Sequence, residues 1–302
     1  IGATIDGHNF YQCWLKSKHE GNETPLMAHS PESVLSEHNK FFLPFKAMNT
    51  PLAAASYGLH VDSTLVGQYL RSFSEQAGVK RLVGHVEHVL KGNNGFIDTL
   101  TLKNGQEIKG DFFIDCTGFQ GLLIGDALKT KYIDWSNYLP CNRAVTVQSQ
   151  KLDDPSPYTI STARDSGWTW RIPLQHRTGN GYVFCDKYCS DEQAITTLLE
   201  SVEGNIVGEP RIIPFLTGVR EHSWNKNCLA LGLAQGFLEP LESTAIHLVS
   251  KTLSLFIRNF PEKDCNPALM KEFNRRLIND YEEIRDFIIL HYCASAREDS
   301  EF

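Results

Sequence analysis

The segment CLALGLAQGFLEPLESTAIHLVS occupies residues 228–250 and joins an apolar run to a helix-type pattern. The apolar run reaches Gly232, and Pro240 stands shortly before Ser243 and Thr244. This pattern predicts a buried strand that leads through a glycine-containing turn into a helix. The first N–H groups of a helix lack intrahelical partners and its dipole is positive there, so such a junction can bind an anion or a cofactor. The simpler interpretation is that the two hydroxyl groups only cap the helix.

Two glutamates, Glu239 and Glu242, lie on either side of Pro240 in this turn. The positive end of the following helix favours the carboxylate form of a nearby glutamate, and we expect this of both side chains. A fixed carboxylate can take a proton from a reacting substrate. The alternative is that Glu242 is an ordinary surface acid.

The segment DFFIDCTGF at 111–119 predicts a short apolar strand that ends in small residues. Such an ending is typical of strands that bring their backbone close to a bound nucleotide, although this signal alone is weak. Further upstream, His60 and Asp62 stand at the entry to a helix, where Asp62 is most simply a helix cap.

Two tryptophans alternate with other residues in GWTWRIP, residues 167–173. Alternate residues of a strand point to the same face, so we expect Trp168 and Trp170 to form one bulky wall. Packing in the core is the simpler interpretation of that wall.

The helical and strand patterns alternate irregularly, which favours an α/β fold with antiparallel insertions. The expected elements are a strand in IGATIDG at 1–7, a polar loop through Asn22, helices at 30–42, 62–78, 190–204 with Asp191 as cap, 243–260 and from Pro267, hairpin turns at 93–95 and 103–105, and further strands within 140–185.

The composition is that of an ordinary globular protein, with 302 residues, 41% hydrophobic and 22% charged. The net charge of -7 comes without a basic stripe, which argues against a nucleic-acid partner, and no apolar run is long enough to cross a membrane. The eight scattered cysteines favour reduced, buried thiols in a cytoplasmic protein over a disulfide framework. Cys185 and Cys189 have no second pair at zinc spacing, so we expect no metal site.

Three segments occur in one order, namely FIDCTGFQGLLIG at 113–125, GWTWRIP at 167–173 and LGLAQGFLEPLESTAIHL at 231–248. Together they resemble the flavin-dependent halogenases of the tryptophan halogenase family. The W-x-W-x-I-P motif that distinguishes this family from related flavin monooxygenases is Trp168, Trp170, Ile172 and Pro173 here. The last helix is similar as well, so the resemblance extends over nearly the whole chain.

The resemblance implies an FAD-binding domain of the flavoprotein monooxygenase type and a helical portion that binds a small aromatic substrate. In this family a separate flavin reductase supplies reduced FAD (FADH2), which with oxygen converts chloride or bromide to hypohalous acid. That acid passes through a tunnel to a lysine and a glutamate beside the substrate, which is tryptophan, another indole or a phenol. A homodimer is one option for the assembly.

Carried over by motif, the resemblance implies that Glu242 is the catalytic glutamate and that Ser243 supports it. The halide would lie at the backbone amides of Thr244 and Ala245, the latter at a position where many members have glycine. The residues implied in FAD contact are Leu233, Ile246 and, on a weaker match, Val86. The tryptophan wall of Trp168, Trp170, Ile172 and Pro173 would lie near the flavin or the tunnel.

Two elements of the family pattern do not occur in residues 1–302, the G-x-G-x-x-G turn and the motif with the catalytic lysine. Lys16 and Lys18 stand in the expected polar loop and are not candidates for that lysine. We therefore expect residues 1–302 to form one interwoven halogenase domain that is incomplete at both ends and inactive by itself. The alternatives are an FAD-dependent aromatic monooxygenase and a non-catalytic flavin-binding fragment.

Overall fold

The computed structural model describes residues 4–302, without the side chains of Pro51 and Ala54. The helices are α1 Phe10–His19, α2 Pro31–Glu37, α3 Ser63–Gln76, α4 Asp191–Ser201, α5 Ala245–Arg258 and α6 Pro267–Cys293. The strands are β1 Thr4–Ile5, β2 His8–Asn9, β3 Val86–Lys91, β4 Ile97–Leu102, β5 Glu107–Lys109, β6 Phe113–Asp115, β7 Tyr132–Asp134, β8 Arg143–Gln150, β9 Ile160–Arg164, β10 Gly167–Pro173, β11 Arg177–Phe184, β12 Ile206–Pro214, β13 Gly218–Arg220, β14 Trp224–Asn225, β15 Cys228–Ala230 and β16 Gly236–Phe237.

These helices and sheets confirm the expected α/β fold with antiparallel parts. The largest sheet has five antiparallel strands in the order β12-β8-β11-β10-β9. The GWTWRIP segment is strand β10 of this sheet, with Trp168 opposite Val183 and Pro173 opposite Thr178 at its end. Proline has no backbone N–H to donate to the hydrogen-bond ladder, which agrees with the end of the strand at this residue.

Smaller sheets carry the rest of the β structure. Strand β15 pairs in parallel with β6, which brings the end of DFFID beside the strand that leads into the 228–250 segment. The hairpin turns expected at 93–95 and 103–105 are present, and their glycines, Gly95 and Gly105, have φ of +76° and +80°. Glycine adopts this left-handed backbone without steric penalty, which is why these dipeptides turn the chain.

Helix starts agree with the capping signals in most places, whereas α2 ends at Glu37 and not at residue 42 as expected. Ser30 accepts a hydrogen bond from the backbone of Ser33 at the start of α2, and Asp62 caps α3. The cap of α4 is Ser190 rather than the expected Asp191, because Ser190 and Gln193 form a reciprocal capping box.

The region expected to be a polar loop through Asn22 contains helix α1, so that expectation is wrong. Asn9 and Gln12 form a capping box at its start. Its residues are mostly polar, so apolar periodicity did not indicate a helix here. Of the strand expected at 1–7, the first three residues lie outside the described part of the chain, and Thr4–Ile5 forms β1.

Helix α3 has an apolar face that the described residues leave open. Leu65, Tyr69, Leu70 and Phe73 each expose more than half of their surface. An uncovered apolar row of this size is unusual on a helix, since apolar faces normally pack against a neighbouring element.

The main core lies between α5, α6 and the short strands before them. Trp224 is fully buried and packs edge-on against Phe112, Phe256 and Phe273, with ring centroids 5.8, 5.6 and 5.4 Å away. Each such edge-to-face pair stabilises the fold by roughly 0.5–1.5 kcal/mol beyond the area that it buries.

The cysteines form no disulfide, and five of the eight are buried as expected. Cys116 and Cys293 are exposed, so the expectation of buried thiols is wrong for these two. Within residues 4–302, no helix is both long and apolar enough to cross a lipid bilayer.

Asp115 organises the turn that follows β6. Its fully buried carboxylate accepts hydrogen bonds from the backbone N–H groups of Leu123 and Ile124, each at 2.8 Å. It also accepts from the backbone and the hydroxyl of Thr117, at 3.0 and 2.7 Å. The carboxylate thereby joins the end of the strand to a short π-helical turn, Leu122–Ala127.

Replacing Asp115 by Ala should strongly destabilise the full-length protein. The change leaves the two buried backbone N–H groups of Leu123 and Ile124 without their acceptor and removes both bonds from Thr117, and we expect a loss of about 3 kcal/mol or more. The midpoint of urea unfolding measures it, with the exposed Glu107→Ala on β5 as the matched control. Equal midpoints for the two variants would show that the Asp115 network does not hold this turn.

Candidate functional site

The chain between β16 and α5 forms a tight turn, residues 239–245, which we call the strap. Pro240–Glu242 is one 3₁₀ turn, and Ser243 then adopts a left-handed backbone with φ of 54°. Few residues other than glycine adopt this conformation, so surrounding contacts must hold it in place. The reversal at Ser243 leads the chain into the first turn of α5.

A cavity of about 220 Å³ lies beside the end of the strap. Thr244, Ala245 and Ile246 line it from the start of α5, and Leu233 lines it from the turn after β15. The other lining residues are Gly232, Gly236, Phe237, Leu238, Leu248, Val249 and Tyr281. The structure thus brings together four residues that sequence reasoning assigned to halide and FAD.

The start of α5 offers N–H groups to this cavity. The first bond of the helix runs from the Leu248 N–H to the Thr244 carbonyl, at 2.9 Å, so the preceding N–H groups have no partner within the helix. The Thr244 side chain forms no capping hydrogen bond, so the simpler interpretation of that hydroxyl as a helix cap is wrong. A helix start of this kind stabilises a bound anion such as a halide.

The lining fits a flat, largely apolar ligand as well as an anion. Ile246 and Leu233 are 67% and 39% exposed, so apolar surface is available beside the helix start. Gly232, with φ of +61°, and Gly236 line the same cavity. The isoalloxazine ring of FAD has this shape and polarity. Val86 lies on β3 and does not line this cavity, so its contact with FAD stays a prediction.

The first glutamate of the strap, Glu239, is completely buried. Its Oε2 accepts hydrogen bonds from the Trp168 indole N–H, at 2.7 Å, and from the Tyr292 hydroxyl, at 2.6 Å. Its Oε1 has no hydrogen-bond partner among the described residues. One side chain therefore connects the strap to β10 and to the last turn of α6.

Burial raises the pKa of Glu239, and the bonds from Tyr292 and Trp168 offset that rise only in part. The expectation that the helix start favours the carboxylate form is therefore wrong for this residue. Loss of hydration in an apolar setting outweighs the helix dipole, which acts mainly on groups at the helix end itself.

The second glutamate, Glu242, is placed differently. Its side chain is 40% exposed, and its Oε1 lies 2.8 Å from Nε2 of His291 on α6. The two carboxyl groups of the strap are three residues apart and differ in environment. That of Glu239 is buried away from water, and that of Glu242 is partly hydrated. The catalytic role of Glu242 and the supporting role of Ser243 stay predictions.

The two tryptophans do share one face of β10, as expected. Their ring centroids are 5.8 Å apart, and Trp168 is the more deeply buried. Beyond forming a wall, Trp168 holds Glu239, a contact that the sequence pattern did not indicate. At the end of the motif, Ile172 is half-buried, and the Pro173 carbonyl lies 2.9 Å from Nδ1 of His60.

Sequence reasoning missed His291 and Tyr292, which contact the two glutamates of the strap. They lie about fifty positions further along the chain, and nothing in the local pattern of α6 sets them apart from other residues of an amphipathic helix. Only the packing of α6 against the strap identifies them.

This architecture is that of a flavin-dependent halogenase. The chain is similar to the solved structure of BrvH, a flavin-dependent halogenase from Brevundimonas sp. BAL3. The superposition covers the whole of this chain and 62% of the BrvH chain, with a TM-score of 0.96 and 41% sequence identity. The tryptophan halogenase family model matches residues 1–302, and the chain belongs to that family.

Curated relatives support this membership. Tryptophan 6-halogenase SttH of Streptomyces toxytricini is 37% identical over 250 residues, which cover 82% of this chain and 48% of SttH. Tryptophan 7-halogenase RebH of Lentzea aerocolonigenes is 36% identical, with the same two coverages. The chain thus spans about half the length of the curated relatives that it matches.

Replacing Glu239 by Gln should change how stability depends on pH. A carboxyl group whose pKa is raised in the folded state contributes stability that is complete below its unfolded pKa, near 4.3, and is lost as pH rises through the folded value. Glutamine does not titrate, so the stability of the Glu239→Gln variant relative to the wild type should improve as pH rises from about 5 to 9. Thermal midpoints of the full-length proteins across this range measure the difference.

The exposed Glu209→Gln is the control for this series, and its midpoints should run parallel to those of the wild type. A Glu239→Gln curve that is also parallel would contradict a raised pKa for Glu239.

Replacing Trp168 by Phe should be more damaging than the same change at Trp170. Phenylalanine keeps the aromatic packing but removes the donor to buried Glu239, and we expect a loss of about 1–3 kcal/mol in a protein that still folds. Trp170 donates no hydrogen bond to Glu239, so Trp170→Phe serves as the matched control. The urea midpoints would refute this assignment if Trp170→Phe were the less stable variant.

Proposed function

We propose that the full-length protein halogenates a small, electron-rich aromatic substrate, using reduced FAD, oxygen and chloride or bromide. The observation that carries this proposal is the helix start of α5, where the N–H groups around Thr244 and Ala245 adjoin the exposed apolar side chains of Leu233 and Ile246. An anion site and a surface for a flat ring lie side by side there. The names of the curated relatives describe tryptophan halogenases, which makes tryptophan and other indoles the first substrates to test, followed by phenols.

When bound, reduced FAD together with oxygen supplies the oxidising equivalents that convert a halide to hypohalous acid. Thr244 and Ala245 hold the halide through their backbone amides, at the positive end of the α5 dipole. Leu233 and Ile246 exclude water from this point by packing against the bound ring, and Val86 is the weaker candidate for FAD contact.

Glu242 acts at the substrate. The ring attacks the halogen of hypohalous acid with a π electron pair, a carbon–halogen bond forms, and the halogen–oxygen bond breaks with its pair going to oxygen. Glu242 then takes the ring proton, and the C–H electron pair restores aromaticity. The proton passes to the hydroxide that was released, so the products are the haloarene and water. Ser243 supports Glu242 from the next position in the strap.

Trp168, Trp170, Ile172 and Pro173 form the rigid wall that shapes this site without taking part in the chemistry. The catalytic lysine is expected outside residues 1–302, and residues 1–302 alone are expected to be one incomplete domain without activity. A separate flavin reductase is the expected partner, a homodimer is one option for the assembly, and the cysteine pattern favours a cytoplasmic location.

The full-length protein, supplied with a flavin reductase, NADH, FAD and bromide or chloride, should convert members of an indole and phenol panel to monohalogenated products. Glu242→Gln should lower this rate by about a hundredfold or more, because an amide cannot accept the ring proton. FAD binding, measured by flavin fluorescence, should stay unchanged, since Glu242 does not line the α5 cavity.

Products that are hydroxylated, or that form equally well without halide, would replace this proposal with an aromatic monooxygenase. Binding of FAD without any turnover across the panel would indicate a non-catalytic flavoprotein. Product masses with and without bromide distinguish these outcomes directly.

A further inference from the structure

The last turn of α6 holds both carboxylates of the strap through consecutive residues. The His291 ring lies 2.8 Å from Oε1 of Glu242, and the Tyr292 hydroxyl lies 2.6 Å from Oε2 of Glu239. Glu239 is fully buried and its partner Tyr292 is half-buried, whereas the side chains of His291 and Glu242 are 34% and 40% exposed. The two contacts therefore have different tasks.

The Glu239 contact fixes the backbone of the strap. Glu239 is held from two sides, by Trp168 on β10 and by Tyr292, and Leu241 packs half-buried against the same cluster. With position 239 locked and the 3₁₀ turn closed by the bond from the Ser243 N–H to the Pro240 carbonyl, the Cα of Glu242 has a defined place. The direction of the Glu242 side chain is then left to its own partner.

The hydrogen bonds of His291 specify where its protons lie. Its Nδ1 is 2.8 Å from the Phe287 carbonyl, which can only accept, so Nδ1 carries a hydrogen. A neutral ring would then present a lone pair at Nε2 toward Glu242 Oε1, which a carboxylate oxygen would repel at 2.8 Å. One further proton must therefore lie between Nε2 and Oε1.

The His291 ring has little freedom to move away from this contact. Phe287, one turn earlier on α6, packs edge-on against it with centroids 4.8 Å apart. This contact engages Oε1 of Glu242, while Oε2 has no hydrogen bond from any described residue. A partly exposed pair of this kind contributes little to stability, so its effect lies in orientation.

We propose that His291 is the positioning residue of Glu242, holding one carboxylate oxygen so that the other is directed to the ring proton of the substrate. This inference rests on the proposed function, since it assigns a partner to the base of that reaction. His291 does not touch the substrate and acts only through Glu242.

Two substitutions separate the functions of the two ring nitrogens. The amide of His291→Gln keeps an N–H donor near the position of Nε2 and can still bond to Glu242. The shorter amide of His291→Asn reaches only the position of Nδ1, so the contact with Glu242 is lost. In the full-length protein, we expect His291→Asn to lower kcat by about tenfold to a hundredfold with KM for the aromatic substrate unchanged. His291→Gln should restore most of that loss. His222→Asn, a change of the same type at an exposed histidine away from the strap, should leave kcat unaltered.

Crystal structures of the same variants provide a readout that does not depend on turnover. Glu242 should keep one conformation in the wild type and in His291→Gln, and adopt other rotamers in His291→Asn. A single unchanged Glu242 conformation in His291→Asn would overturn the inference, even if the protein proved not to be a halogenase. Wild-type kcat in His291→Asn, or equal losses in both variants, would overturn it while halogenation by the wild type stands. Absence of halogenation by the wild type refutes the proposed function instead.

Discussion

The hydrogen-bonded carboxyl group of Glu239 is the contact on which the site depends. It lies in a dry interior, where a polar group is tolerated only with partners, and two of them come from separate elements, Trp168 on β10 and Tyr292 on α6. Since all three groups must meet at one point, the five-stranded sheet, the strap and α6 are fixed relative to one another. The strained backbone at Ser243 persists because its neighbours are held in this way.

This constraint places two kinds of chemistry within a few residues of each other. Before Ser243, the strap carries Glu242 toward His291 on α6, and after Ser243 it supplies the first N–H groups of α5 to the cavity. The proposed base, Glu242, and the proposed anion site at the start of α5 therefore lie at adjacent positions of one rigid turn. Loops that carry catalytic groups need such a scaffold to hold their geometry.

The apolar side chains left open show where further contacts belong. Ile246 and Leu233 border the cavity and are the residues proposed to contact the flavin ring. Leu65, Tyr69 and Phe73 form an exposed apolar row on α3, which is larger than the single exposed apolar residues of ordinary surfaces. Among the relatives, the chain corresponds to only about half of SttH and RebH, and 62% of BrvH.

Local signals in the sequence determined the elements and the family. Asp62 and Ser30 mark helix starts because a side-chain oxygen can satisfy free N–H groups, the glycines at 95 and 105 mark turns because they accept positive φ, and GWTWRIP alternates as a strand should. The same local rules failed for α1, whose polar surface hid its helical period, and for Glu239, whose burial no local rule reveals. Tertiary structure alone decided which carboxyl group of the strap is buried away from water. It alone also brought Tyr292 to Glu239 and His291 to Glu242, across about fifty residues of the chain. Hydrogen bonding within a turn depends on neighbours along the chain, whereas desolvation and long-range contacts depend on everything that packs around a residue, which a pattern in one segment does not contain.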